Sequence, residues 1–154
     1  MQRKDGGKAM NRELKNRMTA AFPAVSENEG LARAVAAAFA AQADPTVEEL
    51  TEIRTAVSEA VSNAVIHGYP QGGGEVVMEL SLYSGGVLVI AVEDHGVGIE
   101  DVARAREPLF TTDRDGERSG MGFTVMESFT DRLEVVSRPG EGTRVTMTKR
   151  LDQL

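Results

Sequence analysis

Apolar residues recur at two different periods along this chain, and the switches between them mark out its elements. Leu14 to Phe22 reads as a short extended segment closed by Pro23. Ser26-Glu27-Asn28-Glu29 fits a capping box, in which a serine oxygen and a glutamate three residues on satisfy free amides. The alanine-rich run from Gly30 to Ala43 then predicts a first helix, broken by Asp44-Pro45. Thr46-Val47-Glu48-Glu49 is a second capping box. After it Leu50, Ile53, Val57, Val61 and Ala64 fall on one stripe of a helix ending near Gly68. Gln71-Gly72-Gly73-Gly74 is a turn. Val76 to Tyr83 and Val87 to Glu93, rich in Val, Leu and Ile, predict two strands joined by a hairpin at Ser84-Gly85-Gly86. A short helix is predicted near Glu100.

Glu107 to Gly122 is a long polar loop with one apolar island, Pro108-Leu109-Phe110, and loops of that length in a compact domain are usually functional. Helical spacing returns from Phe123 to Thr130. Leu133 to Ser137 and Thr143 to Thr148 form a last strand pair around Pro139-Gly140-Glu141-Gly142. Residues 1–10 are polar and glycine-containing and read as a leader, with Met10 an alternative start. Residues 11–154 read as one domain, with no internal repeat and no linker. The order of elements predicts an α+β two-layer sandwich: one largely antiparallel mixed sheet with helices on one face.

Composition narrows the chemistry. The 154 residues are 41% apolar and 27% charged, which is the balance of a globular chain. Absence of cysteine excludes a disulfide framework, a thiol nucleophile and a cysteine-ligated metal, and the two histidines, His67 and His95, have no zinc-site spacing. A net charge of −7 argues against direct nucleic-acid binding, which needs concentrated positive charge. No apolar run reaches the ~20 residues of a membrane span, and no signal peptide is apparent. A soluble, cytoplasmic protein is the expectation.

Three segments hold candidate chemistry. In SEAVSNAVIHGY, Ser58 to Tyr69, Glu59 and Asn63 lie four apart and project from one helix face, roughly opposite the apolar stripe. In VEDHGVGIE, Val92 to Glu100, a strand ends in Asp94 and two glycines follow; an Asx turn or an acceptor for a base amino group would each use that carboxylate. In ERSGMGFTVMESF, Glu117 to Phe129, Gly120 and Gly122 precede a helix whose free amides favour phosphate, with Arg118 a cation just upstream. The pattern is neither a Walker loop nor a Rossmann fingerprint.

Alone, each segment has an ordinary explanation as a wet helix face, a turn or a glycine-rich loop. In this order they closely resemble the N, G1 and G2 boxes of the GHKL ATPase superfamily, whose nucleotide-binding domain has the Bergerat fold. EPLFTT, Glu107 to Thr112, is similar to the segment preceding the lid in histidine kinases of that superfamily. From about Met10 to Arg150 the chain resembles the anti-sigma F family of spore-forming bacteria.

The resemblance implies ATP or ADP bound with Mg2+, Asn63 holding the metal, Asp94 reading the adenine amino group and Gly98 allowing close approach to the base. Gly120 and Gly122 would wrap the phosphates, and Thr143 would support the adenine site. Further nucleotide contacts are implied for Gly96, Ile99, Thr111, Thr112, Ser119 and Met121. Glu59 and Arg118 would be catalytic, the first orienting or deprotonating a serine hydroxyl and the second offsetting charge on the transferred group. Arg33 would bind protein partners.

Implied partners are a sporulation sigma factor of the sigma F type, an anti-anti-sigma factor phosphorylated on serine, and a second copy of the chain in a homodimer. The rival readings are a stand-alone histidine-kinase-type ATPase domain and an anti-sigma factor without kinase activity. Where histidine kinases often carry a lysine after the two threonines, this chain has Asp113 and Arg114, which leaves open the basic residue that meets the terminal phosphate.

Overall fold

The computed structural model describes residues 12–108 and 121–151. The leader assigned to residues 1–10, the Leu109-Phe110 part of the apolar island, and Thr111, Thr112, Arg118, Ser119 and Gly120 lie outside them. Strand β1 (Leu14–Pro23) is followed by helices α1 (Glu27–Ala40) and α2 (Val47–Asn63), then the hairpin β2 (Glu75–Tyr83) and β3 (Val87–Asp94). Two further helices, α3 (Val102–Ala105) and α4 (Gly122–Phe129), precede the hairpin β4 (Arg132–Arg138) and β5 (Gly142–Arg150). The sheet order is β1-β2-β3-β5-β4, and every pairing is antiparallel.

Alternation gives the sheet one dry face. Val76, Met78 and Leu80 of β2 stand beside Asp94, Val92 and Ile90 of β3, and Val92 and Ile90 stand beside Val145 and Met147 of β5. Those apolar side chains form one core with Ala36, Phe39 and Ala40 of α1, Ile53, Val57 and Val61 of α2, and Met126 of α4. Alanines at the α1–α2 crossing let the two helices approach closely while both lie on the sheet.

The second capping box forms as the sequence predicts. Thr46 Oγ1 accepts from the Glu49 amide at 3.1 Å, and Glu49 Oε1 accepts from the Thr46 amide at 2.9 Å. The first does not. Ser26 precedes α1 but has φ −62° and ψ −28°, already helical, and its side chain makes no cap hydrogen bond. A capping serine needs extended backbone to turn its oxygen toward the free amides. Here the chain enters the helix through a continuous turn, with the Asn28 and Glu29 amides bonded to the Val25 and Ser26 carbonyls, so α1 starts three residues before Gly30. It also ends early, passing into a 3-10 turn at Ala41–Ala43 that stops on left-handed Asp44.

The more consequential departure is at the end of α2. The α-helix stops at Asn63, and Ala64–Gly68 continues as a π-helical turn. Such widened turns concentrate at functional sites because they rotate the residues that follow.

Candidate nucleotide and phosphotransfer site

One end of the site is set by strand register. Asp94, the last residue of β3, lies directly opposite Thr143 of β5, and Thr143 lies opposite Ser137 of β4. All three therefore share the helix-facing side of the sheet. Asp94 is only 5% exposed, and its carboxylate accepts from the Gly96 amide at 2.9 Å, closing an Asx turn. Burial pushes Asp94 above the ordinary carboxylate range. Backbone amides of Gly96 and Thr143 and the charge of His95 pull it partway back, and neighbouring Glu93 adds to the rise.

The π-helical turn brings backbone, not side chain, against this carboxylate. A Cβ on Gly68 would stand 2.8–2.9 Å from the Asp94 carboxyl atoms, so the position tolerates nothing larger. The Val97 amide donates to the Gly68 carbonyl at 2.9 Å, and a Cβ on Gly96 would overlap that same oxygen. Gly98 has φ +77° and faces the Arg138 carbonyl, so it needs both the left-handed backbone and the missing side chain. Ile99 is fixed from the other side by its amide, which donates to Ser137 Oγ at 2.7 Å. Tyr69 braces the turn: its hydroxyl accepts from the His95 amide at 2.7 Å and donates to the Glu75 carbonyl at 2.8 Å.

The other end is polar. Glu59 and Asn63, both partly buried, face the first residue of α4. A Cβ built on Gly122 would lie 3.2 Å from Asn63 Oδ1 and from Glu59 Oε1, and 3.3 Å from Asn63 Nδ2. Met121, the residue before α4, supplies no side-chain cap to that helix, so the amides of its first turn are directed to whatever lies beyond the helix end. An Arg106–Glu127 ion pair at 2.8 Å joins the residue after α3 to α4.

Of the residues singled out from sequence, the structure gathers Asp94, Gly96, Gly98, Ile99 and Thr143 at one end and Glu59, Asn63, Met121 and Gly122 at the other, with the C-terminal part of α2 and its π turn between. Arg33 stands apart on α1. Its guanidinium donates to Ser58 Oγ at 2.8 Å and pairs with Glu29 at 3.4 Å, leaving the side chain 42% exposed one residue away from Glu59 in the α2 sequence. Sequence reasoning includes Gly68 and Tyr69 only as the end of the SEAVSNAVIHGY segment, with no role of their own, and does not single out Ser137. Ser137 was legible in principle, because a hairpin turning at Pro139-Gly140-Glu141 places it across from Thr143.

The sequence profile of the histidine kinase-like ATPase domain matches residues 22–149. An anti-sigma F factor from Lysinibacillus sphaericus is 54% identical over 137 residues, covering 89% of this chain and 94% of that protein. The chain belongs to the anti-sigma F factor family. Another anti-sigma F factor, from Clostridium perfringens, is 52% identical over 139 residues, 90% of this family member and 99% of that protein. Among solved structures, the RsbU and RsbW domains of a Mycobacterium tuberculosis protein share the fold, with TM-score 0.65 at 20% identity over 91% of this chain, which spans about a third (34%) of that longer one. A blue-light activated histidine kinase from Erythrobacter litoralis EL346 aligns with TM-score 0.55 at 29% identity over 70% of this chain and 32% of its own.

The residues present in this anti-sigma F family member suit a nucleotide and a hard cation. A buried carboxylate with glycine backbone around it fits a flat base, and an amide oxygen beneath a helix N-terminus fits metal-bridged phosphate. Among the described residues no group of three or more His, Cys, Asp and Glu is placed to hold a metal. A cavity of about 630 Å³ opens at the opposite end of α2, lined by Glu48, Glu49, Glu52 and Asp131 among others. Its walls mix those carboxylates with Lys149 and Arg150, Lys149 Nζ being paired with Glu52 at 2.9 Å, and Glu52 and Asn63 are about 16 Å apart along the helix at 1.5 Å per residue. Among the described residues no helix is long and apolar enough to cross a membrane.

Proposed function

We propose that this protein is a cytoplasmic ATP-dependent protein serine kinase that also binds and inhibits a sporulation sigma factor of the sigma F type, its phosphate acceptor being a serine of an anti-anti-sigma factor. The observation that carries this reading is the shared helix: α2 and its π turn connect a buried base-reading carboxylate to a Glu–Asn pair lying under the N-terminus of α4. Asp94 accepts the adenine amino group, Thr143 supports the same edge, and Gly96, Gly98 and Ile99 give the base a backbone wall. Asn63 would hold magnesium, which supplies charge neutralisation across the phosphates. Met121 and Gly122 present backbone amides to those phosphates, and the family resemblance implies further nucleotide contacts for Thr111, Thr112, Ser119 and Gly120. Arg118 offsets the charge of the transferred group.

Glu59, one helical turn from Asn63, receives the proton of the incoming serine hydroxyl as that oxygen attacks the terminal phosphorus. The bond to the leaving ADP breaks in the same displacement, so catalysis is mostly positioning and charge. Incubation with labelled ATP, magnesium and the anti-anti-sigma substrate is expected to give acid-stable phosphoserine. An acid-labile product would instead identify a histidine-kinase-type ATPase, and nucleotide binding without transfer would leave a purely sequestering module.

Protein partners meet α1 at Arg33. The Glu29–Arg33–Ser58 cluster is half-buried, and an ion pair this open to solvent contributes little to folding, of the order of 0–1 kcal/mol. Arg33→Ala is therefore expected to leave melting nearly unchanged while weakening sigma and anti-anti-sigma binding by about tenfold or more. Equal affinities for both partners before and after the substitution would remove Arg33 from the interface. The protein acts as a homodimer through the β1 region. Support comes from the position of β1 at the sheet edge with Leu14 42% and Met18 36% exposed.

A further inference from the structure

Ser137 lies in no motif of the sequence, yet its hydroxyl is the most heavily committed polar atom beside the Asp94 pocket. Three groups surround Ser137 Oγ: the Ile99 amide at 2.7 Å, the Gly142 carbonyl at 2.9 Å and Thr143 Oγ1 at 2.8 Å. A hydroxyl has one proton to give and two lone pairs to receive. The Ile99 N–H can only donate, so it takes one lone pair. The Gly142 carbonyl can only accept, so it takes the proton. One lone pair remains for Thr143, and Thr143 must be the donor. With the Ile99 and Gly142 bonds fixing both ends of Ser137 Oγ, the network assigns the shared proton to Thr143.

That assignment has a consequence for the pocket. Thr143 has spent its only hydroxyl proton on Ser137, so its oxygen offers nothing but lone pairs to a neighbour. Asp94 stands directly across from Thr143 on the next strand, on the same face of the sheet, and its carboxylate is also an acceptor. The two groups together make a ledge of acceptors with no donor. A 6-amino group brings two N–H donors to such a ledge; a 6-oxo group meets lone pairs with lone pairs, and the single N1–H beside it leaves one of the buried acceptors unpaired.

We propose that Ser137 is a specificity-determining residue of this ATP site: by receiving the Thr143 proton it holds the pocket in an acceptor-only state that selects 6-amino over 6-oxo purines. The inference rests on the nucleotide-site reading above. Ser137 does not touch the ligand; it acts through Thr143 and is a positioning residue.

The test compares magnesium-ADP with magnesium-IDP, which carries oxygen at the 6 position, by titration calorimetry on the full chain. Wild type is expected to prefer ADP by about 100-fold or more. In Ser137→Ala the Thr143 hydroxyl loses its acceptor and is free to donate into the pocket, so the ADP/IDP ratio should narrow by about tenfold or more. Ser137→Thr, which keeps a hydroxyl on the strand, should restore the ratio. Loss of general support would weaken both nucleotides together and leave the ratio alone, and that outcome overturns the proposal. So does a wild type that binds both nucleotides equally. If Ser137→Ala does not fold, Thr143→Val, which removes the oriented oxygen itself, must narrow the ratio; an unchanged ratio there also overturns it. Failure of wild type to bind either nucleotide would count against the nucleotide site rather than against Ser137 alone.

Discussion

Glu59→Gln is expected to slow phosphoserine formation by about 10²- to 10⁴-fold while changing ADP affinity by no more than about twofold, the range by which a positioned general base contributes. Glutamine keeps the length and the hydrogen-bonding reach of Glu59 but cannot receive a proton. The side chain is partly buried and its carboxylate lies against the backbone at Gly122, so an isosteric change disturbs little packing. Asn63→Ala should behave differently, because losing the magnesium position lowers nucleotide affinity as well as rate. Single-turnover transfer with saturating ATP separates the two. A Glu59→Gln enzyme that transfers phosphate at the wild-type rate would take Glu59 out of the mechanism, whatever its effect under multiple turnover, where product release can hide the chemical step.

What could be read in advance follows from which interactions are local. The apolar stripe of α2 and the apolar runs of β2 and β3 arise from residues close to one another along the chain, and both elements appear in the fold where those patterns predict them. The capping boxes show where that logic stops. Both have the same residue pattern, yet only Thr46 has the extended backbone that lets its oxygen face the helix, and backbone dihedrals depend on what precedes the helix. The π turn after Asn63 has no signature at all in the order of side chains. It is fixed by the need to lay Gly68 on Asp94, a contact between residues 26 positions apart that becomes visible only once β3 has paired with both neighbours. The motif residues of the site were legible because each of them sits in a short, patterned stretch. Tyr69 lies in one such stretch and Ser137 on a predicted strand, but their roles do not show there, since they act on backbone groups brought near by the turn and by the sheet.

Asp94→Asn should separate binding from stability, and the two effects should have opposite signs. Burial raises the Asp94 pKa in the folded protein above its unfolded value, so the folded state holds the proton more tightly than the unfolded chain. The ionised carboxylate therefore costs folding free energy at neutral pH, and that cost is relieved as pH falls through the raised folded value. Asparagine has no charge to bury. The variant without nucleotide should melt at the same temperature as wild type or slightly higher. Its ADP affinity should fall by roughly 10- to 100-fold, the worth of a hydrogen bond to a charged acceptor of about 1.5–3 kcal/mol. Acidification should mimic the substitution: wild-type ADP affinity declines as the solution approaches the raised Asp94 value, and binding in that range releases a proton, because nucleotide favours the charged form. Titration in two buffers of different ionisation enthalpy counts that proton. ADP itself titrates in the same region, so the decisive quantity is the difference between wild type and Asp94→Asn. A proton count and a pH profile that are identical in the two proteins would mean that Asp94 does not read the base.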